Sequence, residues 1–386
     1  MISNIGLLIG KRIKACQEEI VLFESIKNIL IVKPSALGDI VHSLPFLNSL
    51  KKGFPNARID WVVAHGLHKF LEGHPMIHKL WVIKKDQWKK FGNLKQTLWE
   101  INGLRKGLGA SEYDVAIDLS GLFRSGVITW FSKAGIRLGF KESDEGSPFF
   151  YTHKIHGSME IHAIDRYLKL AQFMGCPIDE IAYPFAPYDP FPAICRSLPE
   201  TYIMMSPSAG KPANRWHARK FGELASKLDL PVVVISSAAE AEIAEEVVNY
   251  SKGNAVSIAG KTGLKDLLAV IGRARYFICN DTGPMHMAAA LKVPVFAIFG
   301  PANPVRTGPY ETHGHQNPTH TIIQKDSDRS LVKSKYLEPT TLHTIIQKDL
   351  DCSPCYAQKP CNNYRCMEDL SVLDVLTVIK QKTGAS

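Results

Sequence analysis

The sequence predicts an α/β protein made of two parallel-sheet domains. Three observations predict it. Short apolar runs without alternation recur along the chain, as in strands buried on both faces. Each is followed by a turn of small residues and then a helix-period segment, the strand–helix–strand rhythm of a parallel sheet. That rhythm breaks off in a proline-rich stretch and then starts again. At 386 residues the chain has room for two domains of ordinary size.

The first half opens with the run at 28–33, Asn-Ile-Leu-Ile-Val-Lys, and a tight turn from Pro34 to Asp39. A helix is expected from about Ile40, with apolar residues at Ile40, Leu44, Leu47 and Leu50, ending near Gly53-Phe54-Pro55. A strand over 59–63 completes the unit. Asp39 stands where strand end meets helix start, the edge at which open parallel sheets bind ligands. A carboxylate there serves either as a helix cap or as a general base facing a ligand. Lys84, Lys85, Lys89, Lys90, Lys95, Arg105 and Lys106 follow, interleaved with Trp88, Phe91 and Trp99. That pattern suits a docking face for an anionic acceptor, or a solvated basic helix. A strand over 115–119 leads to a second turn, Ser120 to Arg124, and a helix over 160–175 closes the half. Residues 183–199 carry Pro184, Pro187, Pro190, Pro192 and Pro199 and read as a linker.

The second half restarts with a strand over 202–206 and the segment Pro207 to Trp216. Its small hydroxyls and glycine, followed by Lys211 and Arg215, suit a phosphate cradle. Helix 218–228, strand 232–236, helix 239–250, strand 255–258 and helix 264–272 are expected next. Glu240 and Glu242 begin a helix just after a strand, where a carboxylate can meet ribose hydroxyls or the helix dipole. A strand over 276–279 then turns at Asn280-Asp281-Thr282-Gly283 into a helix with Pro284 expected at its first position. Backbone N–H groups and the helix dipole converge there, with His286 as a further donor. A strand over 293–299 ends in Gly300-Pro301-Ala302-Asn303-Pro304, and the last helix is expected over about 371–382.

No G-x-G-x-x-G follows any of these strands, and Gly260-Lys261-Thr262 lacks the first glycine of a P-loop because position 255 is Ala255. Both absences argue against a dinucleotide dehydrogenase and a P-loop hydrolase. The heptapeptide His-Thr-Ile-Ile-Gln-Lys-Asp occurs at 320–326 and again at 343–349. One copy is expected in the fold, with the segment between the copies in a surface loop. The formal net charge of +9 favours an acidic partner, and the 45% apolar fraction is that of a globular chain. No run approaches the roughly 20 apolar residues of a membrane span. The N-terminal basic residues follow the apolar run instead of preceding it, so the reading is a cytoplasmic protein, with a frayed end or a short interfacial helix at 4–14. Cys352, Cys355, Cys361 and Cys366 cluster near the end. In a cytoplasmic chain such spacing marks thiol or structural-metal chemistry more than disulfides.

The segments Lys33 to His42, Asp118 to Gly121, Ser206 to Trp216, Asn280 to Ala290 and Phe299-Gly300-Pro301 together resemble glycosyltransferase family 9, within it the lipopolysaccharide heptosyltransferases. The resemblance runs from about residue 27 to the last helix. It implies a GT-B fold: an acceptor-binding Rossmann-like domain over 1–182, the linker at 183–199, and a donor-binding domain over 200–370. The two would face each other across a cleft, with a last helix over 371–386 crossing back to the first. It implies transfer of L-glycero-D-manno-heptose from an ADP-sugar donor to the octulosonate–lipid A inner core with inversion, the first-heptose step somewhat favoured. It implies work at the cytoplasmic face of the inner membrane, no cofactor and no metal in the chemistry. Carried over by position, Asp39 matches the general base. Ser206, Ser208 and Arg215 match the diphosphate turn, and Asp281, Thr282, Gly283 and His286 its second element. Glu240 or Glu242 matches the ribose contact. Lys84, Lys85, Lys89 and Arg124 fall where the acidic acceptor binds. A different donor or acceptor sugar, or donor binding without turnover, are the competing readings. A nucleic-acid partner draws on net charge alone and is not expected.

Overall fold

The computed structural model describes residues 26–88, 94–311, 341–356, 361 and 363–384, and the backbone of 319–323. The chain divides into two compact units. The first comprises the residues up to Ser35 and His42–Ala186, the second Ala36–Val41 and Pro187 onward. Position 4–14, the expected interfacial helix, lies outside the described residues, as does Lys89.

The first unit holds a parallel sheet of β1 (Asn28–Val32), β2 (Arg58–Ala64), β3 (Lys79–Ile83), β4 (Val115–Asp118), β5 (Ile136–Phe140) and β6 (His153–Ile155). The strand order is β3-β2-β1-β4-β5-β6. This is the doubly wound order in which the chain switches direction between β1 and β4. Ile29, Leu30, Ile31 and Val32 are fully buried, which explains their unalternating apolar run. The connecting helices are α1 (Leu37–Gly53), α2 (Leu94–Gly109), α3 (Phe123–Phe131) and α4 (Ala163–Phe173). Helix α1 starts at Leu37, three residues before the expected Ile40, because the Asp39 carboxylate accepts the Ala36 N–H at 2.9 Å and so caps the first turn.

The second unit repeats the plan with β7 (Ile203–Ser206), β8 (Val232–Val234), β9 (Ala255–Ser257), β10 (Phe277–Asn280), β11 (Val295–Phe299), β12 (Thr319–Ile323) and β13 (Thr344–Lys348). The order is β12-β13-β11-β10-β7-β8-β9, all parallel, with its switch between β7 and β10. Its helices include α5 (Ala218–Ala225), α6 (Ala241–Tyr250), α7 (Leu264–Gly272), α8 (Gly283–Ala290) and α9 (Val372–Thr383). Pro284 is the second helical residue of α8, not the first, since Gly283 already has helical backbone. Neither position has a helical hydrogen-bond acceptor for its N–H, so proline fits both.

Two expectations are corrected. Both copies of the heptapeptide enter the sheet. The second forms β13 beside β11, with His343, Thr344, Ile345 and Ile346 at most 2% exposed, and the first supplies the backbone of the edge strand β12. An exposed ladder on β13 is itself a template for another parallel strand, so the duplicate is paired rather than looped out. Residues 324–340 between them lie outside the described residues. The last helix belongs to the second unit. Ser371 and Asp374 cap its start reciprocally, and Val375, Leu376, Val378 and Ile379 join the core formed with Phe221 and Leu224 of α5. Burying each of those side chains is worth about 2 kcal/mol, which holds the helix there.

Candidate functional site

Both switch points place polar side chains at the carboxyl ends of their central strands. In the second unit, Ser206 ends β7 and is 2% exposed. The following segment folds over on itself. Arg215 Nε donates to Ala209 O at 2.9 Å, and its terminal nitrogen donates to Glu240 Oε1 at 2.7 Å. Glu240 is fixed in turn by Ser237 Oγ at 3.1 Å. Ser208 Oγ lies 3.0 Å from Ser236 Oγ, which donates to Glu240 O at 2.9 Å. The turns after β7 and β8 therefore form one hydrogen-bonded group that holds a half-exposed guanidinium in place.

The turn after β10 is joined to that group by Asn280, which is fully buried. Its Oδ1 accepts the Trp216 N–H at 3.0 Å and its Nδ2 donates to Pro207 O at 2.7 Å. Asp281 accepts from Asn214 Nδ2 at 3.3 Å. Burial pushes the Asp281 carboxyl up to about 6, against the opposing pull of Lys211. Thr282 precedes α8 in extended conformation and makes no side-chain cap to it. Pro284 has no N–H and Met285 N–H donates to Thr282 O at 3.1 Å, so the N-terminus of α8 offers another acceptor chiefly its dipole, with no side chain in the way. His286, 7% exposed, lies one turn further along. The arrangement suits a diphosphate: one guanidinium, one lysine, an uncapped helix start and a carboxyl that holds its proton more readily than usual.

In the first unit, Lys33 is buried and donates to Leu119 O at 3.2 Å, with its Nζ 5.2 Å from the centre of the Tyr167 ring. Asp118 is fully buried at the end of β4. It accepts the N–H groups of Ser120 and Gly121 at 2.8 and 3.0 Å and the Tyr151 hydroxyl at 2.7 Å. Burial raises its carboxyl above the ordinary range, against the lowering effect of those hydrogen bonds. Lys85 Nζ reaches Ser35 Oγ in the turn after β1 at 2.6 Å. Arg124 is half-buried in the first turn of α3.

Of the sequence-predicted donor residues, Ser206, Ser208, Arg215, Glu240, Asp281, Thr282, Gly283 and His286 all fall on the strand-end turns of the second sheet or on the start of α8. Glu242 does not join that group. It is exposed in the first turn of α6, two residues beyond the carboxylate that holds Arg215. In the acceptor set, Lys85 faces the β1 turn, whereas Lys84 is drawn to Glu100 at 3.5 Å. Asp39 sits in the first turn of α1, its Oδ2 held by Ala36 N–H. The four cysteines line a separate hollow. Sequence reasoning missed Asn280 as the link between turns, Tyr151 as the partner of Asp118, and the buried position of Lys33. The signal for Asn280 was present: an amide placed directly after a fully apolar strand needs both a donor and an acceptor close by.

Residues 101–336 match the family described as glycosyltransferase family 9 (heptosyltransferase). The chain is 30% identical over 345 residues to lipopolysaccharide heptosyltransferase 1 of Pseudomonas aeruginosa, covering 81% of this chain and 92% of that protein. It is 29% identical over 303 residues to the lipopolysaccharide core heptosyltransferase OpsX of Haemophilus influenzae, covering 74% and 83%. Among solved structures it is similar to the E. coli heptosyltransferase WaaC with ADP, at a TM-score of 0.68 and 21% identity over 92% of this chain and 99% of that one. The fold is thus the α/β type of the GT-B enzymes, and the chain belongs to glycosyltransferase family 9, a family of sugar-transferring enzymes.

Proposed function

We propose that this enzyme transfers heptose from ADP-heptose to the inner core of lipopolysaccharide, with inversion, and that its acceptor is the octulosonate of lipid A. The observation that carries the donor half is Arg215, held between Ala209 O and Glu240 beside the uncapped start of α8. A guanidinium fixed before the ligand arrives stabilises the charge that grows on a departing ADP without reorganisation at that moment. Lys211 and the α8 dipole add to it. Relatives named lipopolysaccharide heptosyltransferase 1 support the first-heptose step, while relatives named for the second and third steps make it the point to test.

In the proposed reaction Asp39 takes the proton of the acceptor hydroxyl. The freed oxygen attacks the anomeric carbon from the face opposite the phosphate. The bond from that carbon to the ADP oxygen breaks, and ADP leaves. The Ala36 N–H fixes the orientation of the carboxylate that receives the proton. Glu240 acts by placing Arg215, and Lys85 and Arg124 meet the acidic acceptor. With a membrane glycolipid as acceptor, the enzyme works at the cytoplasmic face of the inner membrane. Among the described residues no helix is long and apolar enough to cross it.

The test is ADP release from ADP-heptose with octulosonate–lipid A as acceptor, wild type beside Asp39→Ala. Acceptor-dependent release that falls about 10²–10⁴-fold in the variant, with donor binding retained, is expected. Release only with a heptosylated acceptor moves the enzyme to the second step. Donor binding without release on either acceptor overturns the heptosyl-transfer reading.

A further inference from the structure

One face of the first sheet is covered by α2 and α3, whose Leu104, Leu108 and Ile128 share a core with Leu30 and Val32. The outward side of this helical layer is apolar where a surface helix is ordinarily polar. In α3 the buried positions are Ser125, Gly126, Ile128 and Thr129. The outward stripe, at i, i+4 and i+7, is Phe123, Val127 and Trp130, with Phe123 and Trp130 more than half exposed.

The 3-10 turn Ser147–Phe150 packs on α3 so closely that a Cβ at Gly126 would lie 2.7 Å from the Phe150 ring. It widens the stripe. The Phe150 ring stands edge-on to Phe123 at 5.4 Å and to Phe149 at 5.7 Å, and Phe149 is 87% exposed. Helix α2 adds Leu94, Leu98 and Trp99, the last 76% exposed. Exposed apolar surface gathered in this way marks a site of contact with a protein or a membrane.

Charge decides between them. Lys95, Arg105 and Lys106 are exposed along α2, and Arg124 stands in the first turn of α3. The one acid on the two helices, Glu100, is already engaged by Lys84, Trp88 and Gln96. Glu145, on the neighbouring turn, accepts the Phe123 N–H. The core of a protein–protein interface is depleted of lysine. A bilayer surface takes both kinds of side chain, since aromatic rings settle at headgroup depth and cations meet the lipid phosphates.

We propose that the outer face of α2 and α3, together with Phe149, docks this enzyme on an anionic phospholipid surface. The proposal rests on the reading above that the acceptor is a membrane glycolipid. Each of the two helices runs from the carboxyl end of one strand back to the start of the next. The face therefore begins at the sheet edge that carries Lys85 and Arg124. An acceptor whose acyl chains stay in the bilayer presents its sugars to that edge without leaving the membrane.

Sedimentation of the full-length protein with vesicles is the experiment, run without any sugar acceptor so that its outcome does not depend on the reaction. Wild type should bind phosphatidylethanolamine–phosphatidylglycerol vesicles about 10-fold or more tighter than phosphatidylcholine vesicles, and salt should release it. Trp130→Ser combined with Phe149→Ser, both at exposed positions, should weaken binding to the anionic vesicles about 10-fold or more. With a deacylated, water-soluble acceptor the double variant should release ADP at the wild-type rate, and with the acceptor embedded in vesicles more slowly. Absence of ADP release by the wild type strikes the transfer reading, and vesicle binding that is lost in the double variant upholds the docking face even then. The proposal is overturned if the wild type stays in the supernatant with anionic vesicles, or if the double variant sediments with them as the wild type does. It is equally overturned if the face holds two copies together, read as a wild-type dimer that the double variant turns into monomers.

Discussion

Asp118 and Asn280 hold the same place in two sheets. Each ends the strand beside the first strand of its unit, each is fully buried, and each fixes a turn. A carboxylate only accepts, so Asp118 collects donors from its own turn and from Tyr151. The helix start that follows is closed as well. Leu122 N–H goes to Ser125 Oγ and Phe123 N–H to Glu145 Oε2. An amide both donates and accepts, so Asn280 joins the turn after β10 to the turn after β7. That leaves the start of α8 without a side-chain cap. Using the buried polar group for a link, not for a cap, leaves the start of α8 uncapped in the second unit, whereas this turn of the first one is self-contained.

The largest effect that would sharpen this contrast is at Arg215. Arg215→Ala should lower turnover about 10²–10³-fold by removing the fixed charge at the linked turns. Arg124→Ala in the first unit should leave donor affinity unchanged, and equal loss of donor binding in both would break the comparison. Next is the link itself. Asn280→Asp keeps an acceptor for the Trp216 N–H but sets a carboxylate oxygen against Pro207 O, which should destabilise the protein by about 2–4 kcal/mol in chemical denaturation. A loss of less than about 1 kcal/mol would mean that the link is dispensable.

Tyr151→Phe tests the closed turn. Losing the hydroxyl bond to the buried Asp118 should cost about 1–3 kcal/mol of stability while donor affinity, read by calorimetry, stays as in wild type. The smallest effect is a pH dependence. The folded Asp281 carboxyl titrates near 6 against an ordinary 3.8, so over that interval the folded state holds a proton that the unfolded chain has released. Its contribution is fully present below about 3.8 and is lost as pH rises through about 6. Asp281→Asn should flatten the stability profile between about pH 4 and 6. An unchanged profile would show that Asp281 titrates normally.

The central strands of both units were legible because they are buried on both faces and read as bare apolar runs, as at 28–33 and 276–279. The edge strands of the first sheet were not. β6 has no such run, and the run in β3, Leu80 to Ile83, is partly exposed along most of its length. Arg215 and the turn at 280–283 could be read from turn chemistry alone. The choice between Glu240 and Glu242 could not, because it depends on where the turn after β8 gives way to α6. The Asp39 cap was legible as one of two roles, and the hydrogen bond to Ala36 shows that the capping role is filled. The partner of the last helix was expected from the resemblance alone, because its apolar stripe says only that it packs, and the side chains it meets include Phe221 and Leu224 of α5.

The repeated heptapeptide turns a feature of sheet geometry into a route for growth. The ladder sets His320 opposite Ile345, so the two copies lie side by side, offset by an even step. The outermost strand of a parallel sheet presents an unfilled rung, and a copied segment supplies a new one. A tandem copy of an inner strand would have found no vacancy. Sheets of this kind can therefore widen by repeating their last strand, and the boundary strand is the place where a sequence accident becomes architecture without rebuilding the core.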